Sequence, residues 1–76
     1  MVDVEDYRKR RRSQLVHRAR SVAAKVRRTG RPERLEPMNP YERKVVHDAV
    51  SEVDGVESAS EGEDPDRRVV VRRRGR

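Results

Sequence analysis

Arg43 and His47 lie four positions apart in the stretch NPYERKVVHDAV, residues 39–50. In a helix, this spacing places two side chains one turn apart on the same face. Arginine offers a planar fork of hydrogen-bond donors, and histidine offers a ring donor, a ring acceptor or a stacking face. Such a pair can contact one phosphate group or two neighbouring ones. Alternatively, the two residues belong to an ordinary solvated face, and the nearby Asp48 and Glu52 neutralise their charge.

A short helix that begins at Pro40 is predicted to carry this pair. Asn39 suits the N-cap and Glu42 follows it by three positions, which is the capping-box arrangement. The apolar residues of this segment form one stripe: Tyr41, Val45, Val46, Ala49 and Val53. On a helical wheel Arg43 and His47 fall outside the stripe. We therefore expect both side chains on an accessible polar face.

A longer helix is predicted over residues 4–28. Its apolar residues recur with a period of 3.6 and form one stripe. They are Leu15, Val16, Ala19, Val22, Ala23 and Val26. Gly30 and Pro32 end the helix. Because the basic run RKRRR at 8–12 precedes the stripe, we expect residues 1–14 to form a basic extension of this helix beyond the core.

Three strands are predicted in the rest of the chain. A short strand at 33–36 would point Leu35 inward. The segments 56–61 and 67–72 are joined by the polar turn GEDPD, and the second is rich in β-branched residues. Two such runs around a short polar loop are typical of a hairpin.

The order helix, strand, helix, strand, strand predicts an α+β fold. We expect a small two-layer domain, with a three-stranded sheet and both helices on one face of it. The domain is predicted to span residues 15–72, followed by a basic tail at 73–76. The residues expected to be largely buried are Val22, Val26, Leu35, Val45, Val46, Ala49, Val69 and Val71.

Charge is segregated along the chain. Residues 1–34 carry a net charge of +8, residues 35–66 carry −8, and residues 67–76 carry +6, which leaves +6 overall. Basic blocks at both ends favour a polyanion as partner. The alternative is that the blocks serve solubility and pair with the acidic segment.

Composition excludes several function classes. Of the 76 residues 32% are hydrophobic and none is cysteine, which excludes disulfides and cysteine-based zinc sites. The histidines at 17 and 47 have no carboxylates at ligand spacing, so we expect no metal site and no cofactor. No apolar run approaches the roughly 20 residues of a membrane helix, and no signal peptide is evident. We expect a cytoplasmic protein without membrane insertion.

The segment LEPMNPYERKVVHDAV, followed by SEGEDPDRRVVV at 60–71, resembles the Arg-x-x-x-His domain, also called the R-three-H domain. The similarity is to the form at the C-terminal end of bacterial SpoIIIJ-associated (Jag) proteins, and it begins at DYRKRR, 6–11. The resemblance implies two helices on a three-stranded sheet, and binding of single-stranded nucleic acid through phosphates that Arg43 and His47 contact. It also implies a role in regulating growth or division of the cell envelope.

Longer Jag-type proteins are expected to carry a KH domain, with its GXXG loop, before this one. No GXXG occurs in this sequence. We therefore expect the chain to be a domain excised from a longer protein. A KH-domain protein is an expected partner, through the absent N-terminal part.

These observations predict a non-catalytic module that binds single-stranded RNA or DNA. From their charge, we add Lys44, Arg67 and Arg68 to the motif pair as nucleic-acid-binding residues. Only Tyr7 and Tyr41 could stack on bases, and Tyr41 is expected in the core, so contacts should be mainly to the backbone. The alternative is a protein-interaction or anionic membrane-surface module that uses the basic amphipathic first helix.

Overall fold

The predicted order of elements is confirmed by a computed structural model, which describes the backbone of residues 4–75 and the side chains of residues 7–75. Residues 1–3 of the predicted extension and residue 76 of the predicted tail lie outside the described residues. The elements are α1 (Val4–Thr29), β1 (Glu33–Arg34), α2 (Pro40–Ser51), β2 (Val56–Glu61) and β3 (Arg68–Arg73). The expected α+β fold is therefore confirmed, and β3 continues one residue past the predicted boundary.

The sheet is antiparallel, with the strand order β1-β3-β2. Val69 and Val71 of β3 are fully buried under the helices, as predicted. Ser60 and Ser58 of β2 lie directly opposite these two valines and therefore face the same side. Beyond β1 the chain stays against β3, because the N–H of Leu35 donates to the Val69 carbonyl at 2.9 Å.

The two helices pack side by side and run in the same direction. Arg11 of α1 pairs with Glu42 at 2.9 Å, and Arg20 pairs with Glu52, just past α2, also at 2.9 Å. The α1 helix has 26 residues and is roughly 39 Å long. Since α2 has only 12 residues, the N-terminal turns of α1 extend past the start of α2. Both helix N-termini consequently lie at the same end of the domain.

The core consists of small and medium apolar side chains from both helices, from β2 and β3, and from the segment between β1 and α2. Its buried members are Leu15, Ala19, Ala23, Val26, Leu35, Met38, Val45, Val46, Ala49, Val50, Val56, Val69 and Val71. Of the residues predicted to be buried, only Val22 is partly exposed. Tyr41 was predicted to lie on the buried stripe, but its side chain is 52% exposed. Neither described helix combines the length and apolarity that crossing a membrane requires.

Candidate nucleic-acid interface

The start of α2 is fixed by the predicted capping box. The N–H of Glu42 donates to the Asn39 side-chain oxygen at 2.8 Å, and the Glu42 carboxylate accepts from the Asn39 N–H at 3.2 Å. Pro40 occupies the first turn. Because these contacts fix where the helix begins, they also fix the direction in which Arg43 and His47 leave the helix.

Arg43 is held inside the domain rather than on an open face. Its side chain is 11% exposed, and its Nη1 donates to the Met38 carbonyl at 2.6 Å. The same nitrogen lies 3.6 Å from Oδ1 of Asp64, a side chain in the β2–β3 turn that is 73% exposed. The expectation that Arg43 lies on an accessible polar face is therefore wrong.

The error has a geometric cause. One side of α2 packs against α1 and another packs against the sheet, so its buried arc is wider than one stripe. Val50 is fully buried, although it was outside the predicted stripe. On the helical wheel Arg43 lies next to Val50 at the sheet-side edge of this arc. Tyr41 lies at the opposite edge, which explains its exposure.

His47 bridges α2 and β2. Its Nδ1 lies 2.6 Å from the Ser58 hydroxyl oxygen, and its Nε2 lies 2.9 Å from that of Ser60. A neutral imidazole can donate to one hydroxyl and accept from the other. Burial lowers the pKa of His47, the charges of Arg43 and Arg67 lower it further, and Asp48 opposes them. The ring is therefore neutral at pH 7.

The lowered pKa of His47 predicts a pH effect on folding. The folded pKa lies below the ordinary value of 6.5, so the unfolded chain binds the proton more readily. The stabilisation from the neutral ring is complete above about pH 6.5 and is lost as the pH falls through the folded pKa. Urea denaturation of His47→Gln should show a smaller loss of stability between pH 7.5 and 5.5 than the wild type shows. The matched control is His17→Gln, at an exposed position on α1, which should keep the wild-type pH dependence. An unchanged pH dependence in His47→Gln would contradict the assignment.

The structure brings together three of the five predicted site residues. Arg67 donates from Nη1 to the Gly62 carbonyl at 2.9 Å, and its charge acts on the His47 ring. Arg43, His47 and Arg67 thus converge beside the β2–β3 turn. Lys44 instead points to solvent and pairs with Asp48 at 3.3 Å. Arg68 is the next residue along the chain after Arg67, and successive side chains of a strand point to opposite faces of the sheet. Arg68 therefore lies on the sheet face that the helices do not cover.

Comparison with known proteins shows the family of the chain. The R-three-H domain family matches residues 13–73. The chain belongs to this family. It is 46% identical over 70 residues to the RNA-binding protein KhpB of Clostridium symbiosum, a match that covers 92% of this chain and 32% of that protein. It is 44% identical over 71 residues to KhpB of Lactiplantibacillus plantarum, with coverage of 93% and 22%. It is 41% identical over 70 residues to KhpB of Streptococcus pneumoniae serotype 2, with coverage of 92% and 21%.

Family membership confirms the resemblance seen in the sequence. The chain spans between a fifth and a third of the length of these relatives. The Arg-x-x-x-His motif lies within the matched residues, and its two members are the ones that the structure ties to the β2–β3 hairpin.

Three residues of this candidate site were not predicted from the sequence. Ser58 and Ser60 hold the His47 ring, and Asp64 lies beside the Arg43 guanidinium. The serines were detectable, because they alternate in phase with the apolar Val56 and must share its face of β2. Asp64 carried no signal, since a turn residue can be placed only after the whole fold is known.

Most of the remaining cations form two clusters at opposite ends of α1. Within the described side chains, the four basic residues Arg8, Lys9, Arg10 and Arg12 form no ion pair. We call them the N-terminal basic cluster. At the other end, Gly30 has a φ of 77°, and a Cβ on it would stand 2.8 Å from Nη1 of Arg73. This places Arg73 near the arginines at 27, 28 and 31, all exposed, which together with Arg74 we call the C-terminal basic cluster.

Proposed function

We propose that this R-three-H domain binds single-stranded RNA through its phosphates and has no catalytic role. The observation that carries the proposal is the Arg43 guanidinium, which is held in one orientation beside a carboxylate that a phosphate can replace. The proteins named RNA-binding protein KhpB, at 41–46% identity over 92–93% of the chain, support the proposal. The binding of single-stranded DNA through the same phosphate contacts is part of it.

Arg43 can serve as a phosphate contact without leaving its place in the fold. A guanidinium has five N–H donors, and Nη1 already donates to Met38. The Asp64 oxygen at 3.6 Å is beyond good hydrogen-bonding distance, and its side chain is largely solvated, so this pair contributes little. A phosphate oxygen that takes the position of Asp64 would make a charge-assisted hydrogen bond to Arg43. Arg67 would add a second positive charge beside it.

His47, Lys44 and Arg68 have different roles in this proposal. The neutral His47 ring keeps α2 and β2 together beside Arg43, and a direct contact with phosphate would require it to release a serine hydroxyl. Lys44 and Arg68 lie on other surfaces and contribute general electrostatic attraction. Base specificity would come from a KH domain in a longer protein.

The alternative function through α1 is not favoured. A surface-binding helix needs an accessible apolar face. Four apolar residues of α1, namely Leu15, Ala19, Ala23 and Val26, are at most 1% exposed and belong to the core, and Val16 and Val22 are partly buried against it. An α1 that is packed in this way keeps most of its apolar stripe in the core, away from a lipid surface.

Replacing Asp64 tests the proposed phosphate position. Asp64→Asn removes the competing carboxylate, so affinity for a single-stranded oligouridylate should increase about three- to fivefold in a fluorescence anisotropy titration. The matched control is Asp54→Asn, at an exposed turn after α2, which changes the net charge by the same amount. It should change affinity by less than twofold. If both variants gain equally, the gain reflects net charge, and the phosphate does not occupy the Asp64 position. If the wild-type chain binds no single-stranded oligonucleotide, the proposed function fails.

A further inference from the structure

Both aromatic side chains of the protein are exposed to solvent, and they lie at the same place on the surface. The chain contains no tryptophan and no phenylalanine, and its two tyrosines are Tyr7 on α1 and Tyr41 on α2. Their exposures are 61% and 52%, and they are the exposed large hydrophobic residues of the described chain. Both line the same open groove of about 450 Å³, between the projecting turns of α1 and the start of α2. The core, in contrast, is built from Val, Ala, Leu and Met.

The walls of this groove are held in place. Arg11 donates from Nε to Glu42 at 2.9 Å, and this ion pair is partly buried. The other oxygen of Glu42 accepts from the Asn39 N–H at 3.2 Å. One carboxylate thus joins α1 to the cap of α2. The two tyrosines are therefore carried by two helices that are joined by this carboxylate.

The groove also carries the positive charge that binding of a nucleic acid requires. Arg8 lines it, together with Arg11 and the carboxylate of Glu42, whose two oxygens are both engaged. The rest of the N-terminal basic cluster is adjacent on the same helix. The parallel helices also direct both positive dipole ends toward this end of the domain. Cations that follow a backbone next to aromatic faces that accept bases are the combination found in single-strand-binding sites.

We propose that this groove is a base-stacking subsite for single-stranded RNA, in which Tyr7 and Tyr41 stack on bases and Arg8 contacts a phosphate. The proposal rests on the proposed function and extends it, because Arg43 accounts for backbone contacts only. Stacking on a tyrosine is tolerant of base identity, since every base has a π face. The subsite would therefore add affinity for single strands without reading a sequence.

Two oligonucleotides with the same backbone charge test the proposal. One is an oligouridylate of about 12 nucleotides, and the other is an abasic strand of the same length. Tyr7→Ala and Tyr41→Ala should each weaken binding of the oligouridylate about fivefold or more, and should leave binding of the abasic strand unchanged. Tyr41→Phe, which keeps the ring, should bind like the wild type. Both positions are exposed, so circular dichroism should show that all the variants are folded.

Tyrosine fluorescence gives an independent readout, because all the emission comes from these two side chains. Oligouridylate should quench it in the wild type, and the abasic strand should not. Alanine variants that bind oligouridylate like the wild type would overturn the proposal and leave the groove to another partner, such as a protein segment. An equal loss for both strands would show that the tyrosines support backbone contacts and would also overturn stacking. If the wild type binds neither strand, the proposed function itself fails, and the subsite fails with it.

Discussion

Replacing Arg43 by alanine should both destabilise the domain and abolish the proposed phosphate contact. The substitution leaves the Met38 carbonyl without its guanidinium donor and opens space at the edge of the core. A hydrogen bond from a charged group contributes about 1.5–3 kcal/mol, so the free energy of unfolding should fall by about 2–4 kcal/mol once the lost packing is included. This is a large fraction of the roughly 5 kcal/mol that small domains possess. Urea denaturation measures it directly.

The polar-face interpretation of α2 leads to the opposite expectation, namely that Arg43→Ala leaves the fold intact. A matched control separates the two. Arg18 is about half exposed and pairs with Glu36 at 3.0 Å, so Arg18→Ala removes one arginine and one ion pair from the surface. It should change the free energy of unfolding by less than about 0.5 kcal/mol. Equal stability of Arg43→Ala and Arg18→Ala would show that the Met38 contact does not hold the side chain.

Arg43→Lys separates the structural role from the binding role. A lysine keeps the charge but lacks the planar fork, so it cannot donate to Met38 and to a phosphate in the same arrangement. We expect a smaller loss of stability than in Arg43→Ala, together with RNA affinity at least about fivefold below wild type at a pH and temperature where the variant is folded. Wild-type affinity in the folded Arg43→Lys variant would mean that RNA does not contact this guanidinium through its fork.

Much of the fold could be predicted because local signals and packing agree. Asn39, Pro40 and Glu42 specify the start of α2 by themselves, and the capping box forms as the sequence indicates. Val69 and Val71 alternate on a β-branched run, and both are buried. Leu35 is the only apolar residue in its short segment, so its inward direction had no competitor. In each case a few neighbouring residues determine the result.

The candidate site could be predicted only in part, since it depends on contacts between distant segments. The spacing correctly placed Arg43 and His47 on one side of α2. It could not show that the sheet, as well as α1, covers that helix, and so it missed the burial of Arg43 and the exposure of Tyr41. The end of β3 depended on its partner in the same way. Arg73 is in the strand because it pairs with Val56, although it lies in an arginine-rich segment that is typical of a basic tail.

The extension of β3 changes how the contribution of the basic residues to binding should be tested. Deleting residues 72–76 would remove Arg72 and Arg73 from the strand, along with the 2.7 Å ion pair between Arg72 and Glu57. Such a deletion would mix a folding defect with a loss of charge. Substitution of side chains outside the core avoids this problem.

Neutralising the N-terminal basic cluster should produce the largest loss of RNA affinity among the surface changes. The variant carries Arg8→Gln, Lys9→Gln, Arg10→Gln and Arg12→Gln, and it keeps Arg11 because that residue pairs with Glu42. For single strands, the slope of log affinity against log salt is about −0.7 per phosphate neutralised. If two to four of these cations contact phosphates, the slope should become less negative by about 1.4–2.8, and affinity at low salt should fall about ten- to a hundredfold.

The C-terminal basic cluster supplies the control. Arg27→Gln, Arg28→Gln, Arg31→Gln and Arg74→Gln remove the same charge from the opposite end of α1 and leave Arg73 in the strand. If RNA follows the path from the tyrosine groove towards Arg43, this control should change the salt slope by less than half as much as the N-terminal variant. The N-terminal variant should also retain the response to Asp64→Asn, since that site is on the other side of α2. Equal losses in the two neutralised variants would contradict a defined path, because a polyanion attracted only by net charge does not distinguish one end of the domain from the other.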